Sequence, residues 1–102
     1  MGRAYRVTAF NEHTTELGVQ NKQAGYKLQP PYKGYEYVFV SEAYLEVKDF
    51  FTIDETMVFP ASPDGEKMDI NYGEPLYTLN ERSIKDCLEA LGYMVMDKRP
   101  ND

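Results

Sequence analysis

Ile84, Cys87, Leu88 and Leu91 stand at i, i+3, i+4 and i+7, one apolar stripe at helical period. The stripe is the clearest element of the chain and predicts a helix over residues 80–91. Thr78 and Glu81 have capping-box spacing at its start, with Asn80 as a competing N-cap. Glu81 near the start suits the helix dipole. Gly92 stands where a left-handed residue follows a helix, which lets Tyr93 fold back onto Leu88. Residues 93–96, Tyr-Met-Val-Met, then read as a short closing strand. A helix with one apolar stripe needs a second layer to cover that stripe.

Strand signals supply the second layer. Residues 3–10 alternate, with Tyr5, Val7 and Ala9 on one face and Arg6 and Thr8 on the other. Residues 35–40, Tyr-Glu-Tyr-Val-Phe-Val, are aromatic and β-branched and form the best strand. Residues 56–59 are another strand. Ser62, Pro63, Asp64 and Gly65 have turn chemistry and should reverse the chain into a hairpin strand over 67–72. Residues 26–28 are a weaker strand, ended by Pro30 and Pro31, which donate no ladder hydrogen bond. The polar residues 11–23, which include Gly18, read as a loop. Residues 42–51 carry Ala43, Tyr44, Val47, Phe50 and Phe51 at helical spacing behind a Ser41 cap, so a second short helix is expected, with continuation of the strand as the alternative. The expectation is a single small α+β domain over residues 1–102: a mostly antiparallel sheet packed by one C-terminal helix, with a second short helix at 42–51.

Charge is divided unevenly. Residues 35–97 hold fourteen Asp and Glu against four Lys and Arg, a local charge of −10, whereas the first 34 residues carry +3 and the whole chain −6. Such a split bears on partners and not on fold. Nine Tyr and no Trp suit half-buried sheet faces and interface surfaces alike. The single Cys excludes an internal disulfide framework and a Cys-based zinc site. The N-terminus shows no signal-peptide pattern, Arg6 breaks a myristoylation motif at Gly2, and no apolar run is long enough to span a membrane. A soluble protein of a reducing cytoplasm is expected.

Chemistry-bearing motifs are weak. His13, flanked by Glu12 and Glu16, reads as a solvated histidine with no nucleophile near it in sequence. Cys87 sits on the apolar stripe and reads as core. Asp64, Glu66 and Asp69 lack calcium-loop spacing: Gly65 comes too early and position 12 is Pro75. Asp54 and Glu55 are a carboxylate pair with no further support as acid–base groups. No glycine-rich phosphate loop is present. Catalytic residues, metal ligands and cofactors are therefore expected to be none. Arg3, Arg6, Lys22, Lys27 and Lys33 interleave with Tyr5, Tyr26, Tyr32 and Tyr35, a pattern used by single-strand nucleic-acid binders. The acidic pI of about 4.7 argues against nucleic acid. DNA mimicry by carboxylates is weakened by Arg82 and Lys85 among Glu81, Asp86 and Glu89.

The run Tyr37-Val38-Phe39-Val40-Ser41-Glu42-Ala43, followed by Glu55-Thr56-Met57-Val58-Phe59-Pro60-Ala61 and Asp64-Gly65-Glu66, resembles small uncharacterised bacteriophage or prophage proteins. It covers about a third of the chain and contains no catalytic residue. The resemblance implies an accessory protein acting in a bacterial cytoplasm and implies no reaction.

The leading expectation is a small acidic accessory protein that binds a protein partner with a basic surface, as an inhibitor of a host or defence protein. Tyr35, Tyr37 and Tyr44 are the expected contacts, with Glu36, Glu46 and Asp49 as an acidic rim. A homodimer is a further expectation. The alternatives are a small ligand-binding domain or enzyme with a carboxylate and tyrosine site, and a single-stranded nucleic-acid binder. Pairing of the acidic residues Glu36, Glu42, Glu46 and Asp49 with the basic N-terminal strand would make the charge asymmetry internal.

Overall fold

The computed structural model describes residues 1–62 and 74–96. The turn expected at 62–65, the return strand at 67–72 and the acidic set Asp64, Glu66 and Asp69 fall outside the described residues, wholly or in their greater part. The elements are β1 (Gly2–Arg6), β2 (Asn11–Thr14), β3 (Gln20–Tyr32), β4 (Tyr35–Val47), β5 (Phe51–Pro60), β6 (Tyr77–Leu79), α1 (Ile84–Ala90) and β7 (Tyr93–Met96). All seven strands join one sheet in the order β6-β5-β4-β3-β1-β7, with β2 also pairing with β3. Every pairing is antiparallel except β1 with β7. The architecture is α+β but predominantly sheet. β6 and β7 lie at opposite edges, so the chain between them crosses one face of the sheet, and α1 forms on that crossing.

The apolar stripe near the C-terminus behaves as expected. Ile84, Cys87 and Leu88 are buried against Ala4, Ala24, Tyr26, Leu28, Val38, Val40 and Val58. Burial of that kind stabilises by roughly 1.5–3 kcal/mol per large side chain. Gly92 takes φ +99° after the helix, and the closing strand forms at 93–96. Tyr93 is buried in the same cluster and its hydroxyl donates to the Pro30 carbonyl. The ring also explains Gly2: a Cβ there would stand 2.6 Å from Tyr93 Cδ1 and 2.8 Å from the Gln29 carbonyl oxygen, so this rung of β1 has no room for a side chain.

The helix starts later than the sequence suggested. Thr78 lies in β6 and forms no capping box with Glu81, and Asn80 is not the cap. Ser83 is the N-cap, its hydroxyl accepting from Asp86 N at 3.1 Å. Glu81 and Ser83 are instead tied to β5. The buried Thr56 hydroxyl donates to the Glu81 carbonyl at 2.9 Å and accepts from Ser83 N at 2.9 Å. Glu42 reaches over from β4 and accepts from Ile84 N at 2.8 Å.

Four strand expectations are corrected. Residues 42–47 continue β4, and no helix forms at 42–51. The reason is the ladder: β4 pairs with β3 up to Tyr44 and with β5 up to Val47, so both backbone edges are satisfied without a helix. Ser41, expected as a cap, accepts instead from Gln23 Nε2 at 3.2 Å. Residues 11–14 and 20–23, expected as loop, form β2 and the start of β3, with cross-strand pairing compensating for their polar composition. Pro30 and Pro31 do not end β3, which runs on to Tyr32. The Gln29–Pro30 peptide is cis, and the β3–β4 register shifts between Lys27 and Tyr32, where proline's missing N–H is tolerated. Finally, β1 stops at Arg6 and its buried face is Gly2 and Ala4, opposite to Tyr5. Val7 N donates to the Gly25 carbonyl and Gly25 N to Thr8 Oγ1, each at 2.9 Å, across the break before β2.

Candidate functional site

Strands alternate faces, so the residues of β4 and β5 divide cleanly. Val38, Val40, Thr56 and Val58 face α1 and are buried. Tyr37, Phe39, Ala43, Leu45 and Val47 on β4, with Phe59, Met57, Ile53 and Phe51 on β5, face the other way. They are half-buried, apart from the exposed Phe51. Cross-strand partners Phe39 and Phe59, Leu45 and Ile53, and Val47 and Phe51 set them side by side. Among the described residues no helix or second sheet lies over this face. The result is an apolar stripe along the ribbon, interrupted by Ser41 and by Glu55.

The far end of the ribbon is the most exposed part of the stripe. β3 pairs with β4 only as far as Tyr44, and β6 with β5 only from Thr56 onward. Residues 45–53 therefore project as two strands, without further ladder neighbours among the described residues. The turn at 48–50 is closed by Phe50 N donating to the Val47 carbonyl at 3.0 Å, with Asp49 in the left-handed region at φ +69°. Phe50 is 83% exposed and Phe51 54% exposed. Leaving a Phe in water forgoes roughly 1.5–3 kcal/mol of burial, and a lone two-stranded ribbon is marginal by itself. The same two strands and their turn carry Glu46, Asp49, Asp54 and Glu55, with Lys48 the one cation of that segment.

The six residues expected as partner contacts do not form one patch. Tyr35 pairs with Tyr32 at the opposite end of β4 and packs against the core. Glu36 pairs with Lys27 at 3.5 Å. Tyr37 is on the uncovered face. Tyr44 and Glu46 lie at the base of the projecting end and Asp49 at its turn, with Tyr44 about 30 Å along β4 from Tyr35 at ~3.3 Å per residue. There the Tyr44 hydroxyl donates to Glu46 Oε2 at 2.9 Å, and this bond to a carboxylate raises the phenol's pKa. Arg82 lies 4.2 Å over the Tyr44 ring. The acidic residues are thus partly spent internally, Glu36 on Lys27 and Glu42 on Ile84 N, while Asp49 is exposed at the turn. Sequence reasoning misses Phe50 and Phe51 because a helical stripe places them in the core. The period-2 alternation of 42–47 is the signal that places them outside.

His13 is exposed on β2 opposite Asn21. Cys87 is fully buried, and burial pushes its thiol up from 9.0 to about 11. Two results are expected. At pH 8 native Cys87 reacts with iodoacetamide about 100-fold more slowly than the urea-unfolded chain, following the loss of thiolate. A native rate matching the unfolded one would show the thiol to be accessible. Because the folded state holds this proton more tightly, the thiol's contribution to stability is intact below pH 9.0 and is lost as pH rises toward about 11.

Among the described residues no three His, Cys, Asp or Glu converge as a metal set, and no helix is long and apolar enough to cross a membrane. No protein-family model matches the chain, and no curated protein or solved structure shows significant similarity to it.

Proposed function

We propose that this protein is an accessory factor that binds another protein through the projecting end of the β4–β5 ribbon. The observation that carries the reading is the exposure of Phe50 and Phe51 at the end of a ribbon that also carries Glu46, Asp49, Asp54 and Glu55. Aromatic anchors surrounded by a polar rim are the usual anatomy of a binding hot spot. The rim of Glu46, Asp49, Asp54 and Glu55 selects a partner with an apolar pocket in a basic surface. Tyr44 and the uncovered residues Leu45, Val47 and Ile53 extend the contact. The phage-like strand pattern implies an accessory protein in a bacterial cytoplasm, and inhibition of a host or defence protein is the role proposed for it there.

The test is a pull-down from the native host at low and high salt, with wild-type protein and the Phe50→Ser/Phe51→Ser double variant. The wild type should retain one partner whose recovery falls with salt. The double variant, with an unchanged melting temperature, should lose at least about 100-fold in affinity, since each anchor is worth ~2 kcal/mol or more. No retained partner at low salt, or equal retention by the double variant, would remove the reading.

A further inference from the structure

On the face that carries α1, two adjoining hollows of about 340 and 520 Å³ share Lys22, Glu42 and Arg82. The β2–β3 ribbon forms one wall and the residues leading into α1 the other. Lys22 and Glu42 are direct cross-strand partners of opposite charge. Such pairs normally join, yet among the described residues no ion pair links them. Each is drawn to a different wall. The Lys22 ammonium stands 4.5 Å over the Phe10 ring, which Arg6 approaches to 4.6 Å. The Glu42 carboxylate uses Oε2 on Ile84 N, and its other oxygen has no hydrogen-bond partner among the described residues. A cleft opens between them.

Cations outnumber carboxylates at this cleft although the chain carries −6. Lys22, Arg82 and Lys85 line it against the carboxylates of Glu12 and Glu42, and Arg6 lies beside it. Among the described residues Lys22, Arg82 and Arg6 lie within ion-pair distance of no carboxylate, while Lys85 makes one exposed pair with Glu89 at 3.7 Å. Arg82 comes from the acidic half of the sequence and Lys22 from the basic half, so folding alone assembles the set. With Arg6 beside them, the three lining cations outnumber the two lining carboxylates, and Lys22 and Arg82, ion-paired to neither, suit a phosphate, with Arg offering a planar fork and Lys a point charge. The second oxygen of Glu42 is an acceptor that a ligand hydroxyl satisfies.

We infer that this cleft binds a small phosphate ester bearing hydroxyl groups, of the sugar-phosphate or nucleotide class, with phosphate on Lys22 and Arg82 and a hydroxyl on Glu42. The site lies on the face opposite the apolar stripe, and Arg82, 4.2 Å over the Tyr44 ring, links it to the proposed docking end.

The probe is ribose 5-phosphate, titrated at low salt into the whole chain and followed by backbone amide shifts. Saturable shifts are expected at Lys22, Glu42, Arg82 and Ser83. Lys22→Gln and Arg82→Gln, both surface changes whose folding the same spectra report, each weaken binding at least about tenfold. Ribose alone does not saturate, and inorganic phosphate binds more weakly than the ester. Glu42→Gln keeps an oxygen for Ile84 N but narrows the gap between ester and inorganic phosphate. Three results overturn the assignment: no saturable shift at these amides at millimolar ester, undiminished binding by both cation variants, or equal binding of ester, inorganic phosphate and the zwitterion glycine.

Discussion

Thr56→Val removes about 3 kcal/mol of stability, because it leaves the Glu81 carbonyl and Ser83 N without their buried partner at roughly 1–3 kcal/mol each. The substitution keeps the side chain's volume and β-branching, so strand propensity does not confound it. A chain of 102 residues is held by only about 5–15 kcal/mol, so the loss is a large share of the total. Thr56→Ser keeps the hydroxyl and should recover most of it. Urea titration followed by far-ultraviolet circular dichroism reads both changes. A valine variant within about 0.5 kcal/mol of wild type, the range of ordinary surface changes, would mean that the loop into α1 is not held by this hydroxyl.

Leu88→Ala should cost about 3 kcal/mol, within the 2–5 kcal/mol span for a large side chain deleted from a packed core. Leu88 is fully buried at the centre of the helix–sheet contact. The helix has seven residues, Ile84–Ala90, well below the roughly 12–15 at which an isolated helix becomes even marginal. Its existence therefore depends on this packing. The expected signature is a drop in the urea midpoint, with amide-exchange protection lost first at Cys87 and Leu88. Protection that persists at those amides while the sheet opens would show that α1 is held chiefly by its two N-terminal anchors, Glu42 and Thr56.

The two variants probe different links in one arrangement. Leu88 reports burial of a stripe that is legible in the sequence, because four apolar residues at period 3.6 line one side of a helix and would scatter over both faces of a strand. Thr56 reports a contact across 25 residues of chain to Glu81, which no local pattern announces. The same difference governs the candidate site. Composition points to Tyr44, Glu46 and Asp49, of which Tyr44 and Glu46 are joined by a hydrogen bond and Asp49 stands in the turn beyond them. It points equally to Tyr35 and Glu36, which lie at the other end of the strand, one packed against the core and one paired with Lys27. Composition indicates what a residue can do. Register and strand length decide where it stands.

The segment 42–51 is the clearest case of competing periods. Ala43, Tyr44, Val47, Phe50 and Phe51 fit a helical stripe, while Glu42, Tyr44 and Glu46 alternate with Ala43, Leu45 and Val47 at period 2. Local propensity does not separate these readings over ten residues. Pairing on both sides does, because β3 and β5 together supply the backbone partners that a helix would otherwise have had to supply from within.

The sequence by itself determined the α+β class, the buried face of the C-terminal helix, its left-handed exit at Gly92, the strand that follows, and the strands that carry Val38, Val40 and Val58. These are consequences of side-chain period and backbone conformational preference, which act over a few residues. The tertiary structure alone decided that 42–51 is strand and turn, that Ser83 caps the helix with Glu42 beside it, that Phe50 and Phe51 stand in water, and that Lys22 and Arg82 share a cleft. Each of those depends on which strand lies next to which, and cross-strand hydrogen bonds and charges are set by neighbours distant in sequence.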